Sequence, residues 1–199
     1  MTGAGIRVVK VGGSLLDFKG LGEAWSGWYA SQPHVPTMIV AGGGPLADHV
    51  RRWDQLYQLG EEVCHWMCIQ AMSTTATLVH QRLPGTCLAR DWSQLEKRLR
   101  DAQGKVPVVF SVRSFLEEVE PCLPGTPLPH SWDVTSDSIA GRIAQILAAT
   151  ELVLCKSTSA GDGPVDWRRC ATEGQVDRYF PKLAATLPCV RWVNLRATG

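Results

Sequence analysis

Lys10 and the turn after it have residue types that suit phosphate binding. The segment VVKVGGSLL (8–16) is typical of a short buried strand that ends near Lys10 and passes into a turn. The turn holds three small residues, Gly12, Gly13 and Ser14. Glycines let backbone N–H groups approach a ligand closely, and a fixed ammonium group attracts phosphoryl oxygens. The segment therefore predicts a cationic phosphate site at the end of a strand.

A second turn contains three consecutive glycines, Gly42, Gly43 and Gly44, after a strand-like run. Pro45 comes next and suits the first turn of a helix, whose N-terminal dipole attracts anions. One such turn could equally be a tight connection between a strand and a helix. Two of them on the same edge of a parallel sheet, where ligands of such folds bind, favour an anion site.

Asp137 lies in a third segment, HSWDVTSDSIAGRIAQIL (130–147), which predicts a helix capped by Thr135 or Ser136. A carboxylate in the first helical turn can simply complement the helix dipole at the surface. It can also orient lysines around a polyphosphate. The spacing leaves both interpretations open.

Lys156 and Ser157 follow another strand-like run, ELVLC, and precede a loop rich in Ser, Thr and Gly. A solvated lysine is the usual interpretation of such a residue, but its position at a third strand end favours contact with phosphate. Among the histidines, His130 precedes a tryptophan-containing loop and is the better site candidate. The helical patterns around His49 and His80 indicate structural roles.

Cys64 and Cys68 are one helical turn apart in an apolar pattern, and no second ligand pair lies nearby, so we expect no metal site. The sequence also lacks the GxSxG, HExxH and GxxxxGKS/T patterns. This absence argues against a serine hydrolase, a zincin and a P-loop NTPase. The seven cysteines lie mostly in apolar settings, and we expect them to be reduced.

The composition is that of a globular protein without a large charged surface. The 199 residues are 45% hydrophobic, and 20 basic against 19 acidic residues leave a net charge of +1. This balance argues against nucleic-acid binding, and the longest apolar runs are far shorter than the roughly 20 residues of a membrane span. The first residues lack the pattern of a secretory signal, so we expect a cytoplasmic protein.

Strand-like and helix-like segments alternate along the chain. We predict strands at 6–11, 37–41, 106–110, 151–155 and 190–195. We predict helices at 21–30, 46–59, 61–83, 92–102, 136–149 and 176–187. This alternation predicts a single domain (1–199), a three-layer α/β/α sandwich with a mostly parallel central sheet. The proline-rich segment 121–130 is interpreted as a surface excursion, such as a short hairpin over a site, rather than a domain linker.

A dinucleotide site is an alternative interpretation of the second glycine turn. GGGPLA (42–47) fits G-x-G-x-x-A, and Glu61 or Glu62 follows at about the interval of the carboxylate that binds ribose in a dinucleotide-binding fold. Such a site in an NAD-dependent oxidoreductase requires that carboxylate to end a strand. The residues after Glu61 have a helical pattern instead, which argues against hydride transfer.

Taken together, KVGGSLL, VAGGGPLAD, TSDSIAGRIA and LVLCKS resemble segments of the amino acid kinase family. Within the family, the run GGG-x-x-A-x-x-V-R-x-x-D (42–54) and the segment HSW-x-x-TSDS (130–138) are most similar to the (aminomethyl)furanmethyl phosphate kinases of methanofuran biosynthesis. The resemblance implies the family's fold and ATP-dependent phosphoryl transfer to a small anionic acceptor, such as a phosphate monoester. It also implies Mg²⁺ as the metal that accompanies ATP, and a homo-oligomer.

The resemblance implies three sets of site residues. The catalytic set is Lys10, Asp137 and Lys156, in which the carboxylate orients the two lysines. The set that holds the nucleotide and its phosphates is Gly12, Gly13, Ser14, Lys156 and Ser157. The set that holds the acceptor is Gly42, Gly43, Gly44, His130 and Ser136.

Departures from the family pattern bear on the nucleotide. Many relatives have a T-D-V stretch where this chain has Cys155, Lys156 and Ser157, and many have Asn at the position of Asp133. Few residues follow the last predicted strand, from which we expect a short or open nucleotide pocket. A regulatory protein that binds a nucleotide or anion without transferring phosphate is therefore an alternative function.

Overall fold

Six parallel strands form one sheet in the part of the chain that the computed structural model describes, residues 5–101, 105–161 and 163–197. The strands are β1 (Arg7–Val11), β2 (Thr37–Ala41), β3 (Cys87–Ala89), β4 (Val108–Phe110), β5 (Glu151–Lys156) and β6 (Val190–Asn194). Their order across the sheet is β3-β4-β2-β1-β5-β6, and every pairing is parallel. The carboxyl ends of the strands therefore lie at one edge, with β1 near the centre.

Helices cover both faces of the sheet. They are α1 (Leu21–Ala30), α2 (Gly44–Tyr57), α3 (Glu61–Arg82), α4 (Trp92–Asp101), α5 (Ser136–Ile146), α6 (Trp167–Thr172) and α7 (Phe180–Ala184). Successive residues of β1 belong to different buried clusters. Val8 shares one cluster with Ile139 of α5, and Val9 shares the other with Trp25 of α1. This arrangement confirms the predicted α/β/α sandwich.

The last third of the chain differs most from the sequence prediction. The predicted helix 176–187 is wrong: only α7 is helical there. Asp177 turns the chain by accepting a hydrogen bond from Phe180 N, and α7 begins at Phe180 with Pro181 in its first turn. Sequence periodicity does not predict α6, whose start is capped by the carboxylate of Asp166. It does not predict β3 either, because a three-residue strand is too short to show a pattern.

Two further expectations can be compared with the fold. The fully described segment 121–130 is mostly exposed, as predicted, but it contains no strand, so the suggested hairpin is wrong. Glu61 begins α3 rather than ending a strand, which removes the carboxylate position that an NAD site requires. None of the helices in the described part of the chain has the length and apolar character that crossing a bilayer requires.

Candidate active site

Lys10, Asp137 and Lys156 come together at the carboxyl edge of the sheet. The register that pairs Lys10 of β1 with Leu154 of β5 brings Lys156 to the same edge. Asp137, in the first turn of α5, lies between the two lysines: its Oδ1 is 2.9 Å from Lys10 Nζ and its Oδ2 is 2.9 Å from Lys156 Nζ. The three side chains are only 5%, 5% and 11% exposed. The residues predicted to be catalytic therefore form one buried cluster.

Two cations beside one buried carboxylate shift the pKa values in this cluster. Burial alone would raise the pKa of Asp137, but the charges and hydrogen bonds of Lys10 and Lys156 outweigh it and hold the pKa below its ordinary value. Burial lowers the pKa of Lys156 to about 8, and the positive charge of Lys10 adds to this shift. The cluster therefore places two ammonium groups beside a single carboxylate, an arrangement that favours binding of an anionic ligand.

Asp177 holds the start of α5 and so fixes Asp137. Its carboxylate accepts hydrogen bonds from the backbone N–H groups of Thr135 (2.9 Å) and Ser138 (3.0 Å) and from both of their hydroxyl groups. Thr135 occupies the N-cap position, but its side chain donates to Asp177 instead of capping the helix. Burial raises the pKa of Asp177, and the charge of Asp137 adds to the rise. Sequence patterns contain no signal for this role because Asp177 is 42 residues from Thr135.

The two glycine turns pack directly against each other. A Cβ atom at Gly13 would lie 2.6 Å from Gly44 N, and one at Gly42 would lie 2.8 Å from Gly13 N. Gly44 also has a φ of 56°, a conformation that L side chains rarely adopt. Close packing of the loops thus requires glycine at these positions whatever they bind. The same packing places the N-terminus of α2 beside the Lys10 turn, where its N–H groups can attract an anion.

A cavity of about 1140 Å³ opens beside the lysine cluster. Its lining includes the residues predicted for catalysis and nucleotide binding: Lys10, Gly12, Gly13, Ser14, Asp137, Lys156 and Ser157. Ser14 Oγ and Ser157 Oγ are 2.8 Å apart, so a hydrogen bond joins the turn after β1 to the turn after β5. Trp192 also lines this cavity, with its ring centroid 5.4 Å from Lys156 Nζ. The volume is sufficient for a nucleotide.

A second cavity, of about 460 Å³, adjoins the first. Gly43, Gly44 and Ser136 line it, whereas Gly42 does not; a Cβ atom at Gly42 would lie 3.2 Å from Ser136 Oγ. One face of α3 contributes Glu61, His65, Cys68, Ile69 and Met72. The two cavities share the residues Gly13, Ser14, Arg51, Trp132 and Thr135. They therefore meet at the Gly13 turn, beside the lysine cluster.

His130, predicted to bind the acceptor, lines neither cavity. Its ring stacks on His65, with centroids 4.2 Å apart, and its Nδ1 is 2.7 Å from Glu62 Oε2. His65 does line the second cavity, and burial together with the nearby His130 lowers its pKa to about 4. The ring of His65 thus separates His130 from any molecule in the second cavity.

The described residues contain no cluster of three His, Cys, Asp or Glu side chains that could hold a metal ion. Burial raises the pKa of Cys64 and raises that of Cys68 to about 11, so both thiols are protonated at neutral pH and are poor ligands. Both Asp137 oxygens face lysines. Because Mg²⁺ is usually held by substrate phosphates with few protein carboxylates, this site fits a Mg²⁺ ion that arrives with ATP.

Sequence comparisons show which proteins this chain is similar to. The amino acid kinase family model matches residues 5–160. The chain is 25% identical over 150 residues to the (5-(aminomethyl)furan-3-yl)methyl phosphate kinase of Methanocaldococcus jannaschii. This match covers 75% of the chain but 64% of the relative, so the chain spans less than two thirds of that relative's length.

Solved structures have the same fold. Uridylate kinase from Archaeoglobus fulgidus superposes with a TM-score of 0.63 at 16% identity, over 96% of this chain and 92% of that one. UMP kinase from Ureaplasma parvum gives a TM-score of 0.63 at 14% identity, over 97% and 91%. At these identities the likeness shows the fold alone. The family match, which extends over most of the sequence, shows that the chain belongs to the amino acid kinase family.

Proposed function

We propose that this protein is an ATP-dependent kinase that transfers a phosphoryl group to a small anionic acceptor, a phosphate monoester. The observation that carries the proposal is the buried cluster of Lys10, Asp137 and Lys156 beside the junction of two cavities. The larger cavity would take ATP and the smaller would take the acceptor. The transferring group would then lie at the junction, next to the two lysines.

The lysines would stabilise the charge of the transition state. An oxygen of the acceptor phosphate attacks the γ-phosphorus of ATP, the bond to the bridging oxygen breaks, and ADP leaves with those electrons. Lys10 and Lys156 would neutralise charge on the transferring oxygens, and Asp137 already holds both ammonium groups in place. Mg²⁺ bound to the ATP phosphates would neutralise further charge. A phosphate monoester is largely deprotonated at neutral pH, so the reaction needs no general base.

The second cavity supports an acceptor that has a ring and charges of both signs. Its lining contains the apolar side chains of Ile69 and Met72, the carboxylates of Asp48 and Glu61, and the guanidinium group of Arg196. The M. jannaschii relative is named for a phosphate that also carries an aminomethyl group and a furan ring. We therefore propose (5-(aminomethyl)furan-3-yl)methyl phosphate, on a route to methanofuran, as the acceptor, with a diphosphate as the product.

Two further expectations belong to this proposal. We expect the protein to act in the cytoplasm, where ATP is available, which cell fractionation would test. We also expect a homo-oligomer, which light scattering of the purified protein would test.

Activity of the Lys10→Met variant tests the proposed function. The wild-type protein, incubated with ATP, Mg²⁺ and the furan phosphate, should form ADP and a diphosphate that ³¹P NMR detects. Lys10→Met should lower kcat by on the order of 10² to 10³, because it removes one preorganised positive charge from the transition state. Lys182→Met is the matched control, since Lys182 is exposed on α7 and should keep wild-type turnover.

Two outcomes would contradict the kinase proposal. A Lys10→Met variant with wild-type turnover would exclude a role of this cluster in transfer. Wild-type protein that binds ATP with Mg²⁺ in calorimetry, but forms no ADP with any phosphate monoester, would favour the alternative regulatory function.

A further inference from the structure

Arg51 occupies a special position between the two cavities, because its side chain lines both of them. Among the described residues, the other lysine and arginine side chains of these linings belong to one cavity only. The larger cavity has Lys10, Lys156, Arg168 and Arg178, and the smaller has Arg196. If donor and acceptor phosphates meet at the junction, Arg51 is the cation of the smaller cavity that also borders the larger one, so it can contact the acceptor's phosphate there.

Arg51 is held by contacts that a ligand can replace or extend. Its Nη1 is 2.7 Å from Asp48 Oδ1, but the two side chains are 46% and 67% exposed, so this pair contributes little to stability. Its guanidinium carbon also lies 5.2 Å from the centroid of the Trp132 ring, a cation–π contact. An incoming phosphate dianion can take the place of Asp48 while the indole continues to hold the guanidinium group.

Trp132 is itself fixed by the helix that carries Arg51. The indole Nε1 donates a hydrogen bond of 2.9 Å to Asp54 Oδ2, and that bond lowers the pKa of Asp54. The other carboxylate oxygen accepts from Gly60 N at 3.1 Å. Arg51 and Asp54 are three residues apart on α2 and therefore lie on neighbouring turns of one face. One helix face thus supplies both the cation and the anchor of the ring beneath it.

We propose that Arg51 binds the phosphate of the acceptor, and that Trp132 and Asp54 position it at the junction of the cavities. This inference rests on the proposed kinase function and names the substrate class that the second cavity selects: phosphate monoesters, in preference to the corresponding alcohols. It also gives a common role to the V-R-x-x-D run of α2 and the HSW segment, which are distant in sequence but in contact in the fold. Arg51 and Asp54 contact the tryptophan of that segment.

Kinetics of the Arg51→Met variant test the proposal. The variant should raise the KM for (5-(aminomethyl)furan-3-yl)methyl phosphate roughly 10- to 100-fold, the loss expected for charge-assisted hydrogen bonds, while the KM for ATP changes less than about twofold. Arg51→Lys, which keeps the charge but loses the planar fork, should recover part of the loss. Trp132→Phe, which keeps a ring but removes the bond to Asp54, should raise the KM for the acceptor by a smaller factor.

Arg52→Met is the matched control. Arg52 is the next residue of α2 and lines neither cavity, so this variant should keep wild-type kinetics. The proposal is overturned if Arg51→Met leaves the KM of the acceptor unchanged. It is also overturned if both substrates lose affinity equally, because a general distortion of α2 would do that.

A binding measurement separates this proposal from the proposed kinase function. Calorimetry without ATP should show that wild-type protein binds the furan phosphate more tightly than the corresponding alcohol, and that Arg51→Met abolishes the difference. That result would support the role of Arg51 even if no variant, including wild type, transferred phosphate. Equal binding of phosphate and alcohol by the wild-type protein would overturn the role of Arg51 even if transfer were observed.

Discussion

Two ion clusters at the candidate active site differ in burial, and the difference predicts how each responds to substitution. In the cluster of Lys10, Asp137 and Lys156 the side chains are at most 11% exposed, whereas Arg51 and Asp48 are 46% and 67% exposed. A buried carboxylate between two lysines is costly to remove because the lysines then lack a counter-charge. Little free energy is needed to separate an exposed ion pair because water solvates each partner. The first arrangement suits fixed catalytic charges, and the second suits a group that must exchange its partner for a ligand.

Removal of the buried carboxylate should have the largest effect. Asp137→Asn keeps the shape of the side chain but removes the carboxylate that contacts both Lys10 and Lys156. We expect a loss of about 3–5 kcal/mol in the free energy of unfolding, measured by urea denaturation.

The exposed pair supplies the comparison for that experiment. Asp48→Asn removes the carboxylate beside Arg51 and should change the free energy of unfolding by less than about 1 kcal/mol. If both variants lost similar stability, the contrast between the clusters would be wrong. A small loss in Asp137→Asn alone would mean that water or a neighbouring group already balances the lysines.

The contact between the two glycine turns should have the next largest effect. In Gly13→Ala the new methyl group would lie 2.6 Å from Gly44 N and 2.7 Å from Gly44 Cα, so the turns must separate. We expect a loss of about 1–3 kcal/mol in stability, measured by urea denaturation, together with reduced turnover. Gly27→Ala is the control, because a Cβ atom there meets nothing within 4 Å and alanine favours the helix. Equal stability of both variants would show that the turns are loosely packed.

The central part of the site could be predicted from the sequence because it depends on strand ends. Strands β1, β2 and β5 are buried on both faces, so they are mostly apolar runs that the sequence shows directly. In a parallel sheet the residues that follow such runs converge at one edge. This rule alone brings Lys10 and Lys156 together, and the first turn of α5 adds Asp137.

The remainder of the site depends on contacts between residues that are far apart in the sequence. Local sequence patterns contain no signal for such contacts. Asp177 reaches Thr135 across 42 residues, and Trp132 reaches Asp54 across 78. His130 shows the opposite case, because its sequence position suggests a binding residue but the fold turns its ring onto His65. Type and spacing therefore predict which strand ends meet, and only the fold shows which loop side chains join them.

The pH dependence of activity should distinguish the buried lysine from the exposed arginine. Because Lys156 has a pKa of about 8, kcat/KM should fall roughly tenfold for each pH unit above that value as its positive charge is lost. Stability should respond in the opposite direction. The pKa of Lys156 in the folded protein lies below its ordinary value of 10.5, so the unfolded chain binds more protons between about pH 8 and 10.5, and the contribution of Lys156 to stability rises with pH over that range.

Replacement of that lysine separates this titration from others in the protein. In Lys156→Arg the cation stays charged throughout this range, so the fall of kcat/KM above pH 8 should disappear, although the absolute rate is expected to be lower. An unchanged profile would assign the titration to another group.

The smallest effect should come from His130, whose position tests how far the acceptor site extends. Its partner Glu62 is 65% exposed, and His65 lies between its ring and the second cavity. His130→Gln should therefore change the KM for the acceptor by no more than about twofold, since glutamine can still contact Glu62. A tenfold rise in that KM, with the KM for ATP unchanged, would show that the stacked ring positions His65 against the acceptor. Residues on the exposed side of the site would then be held as firmly as the buried lysine cluster. Exposure alone would not explain the difference between these two regions.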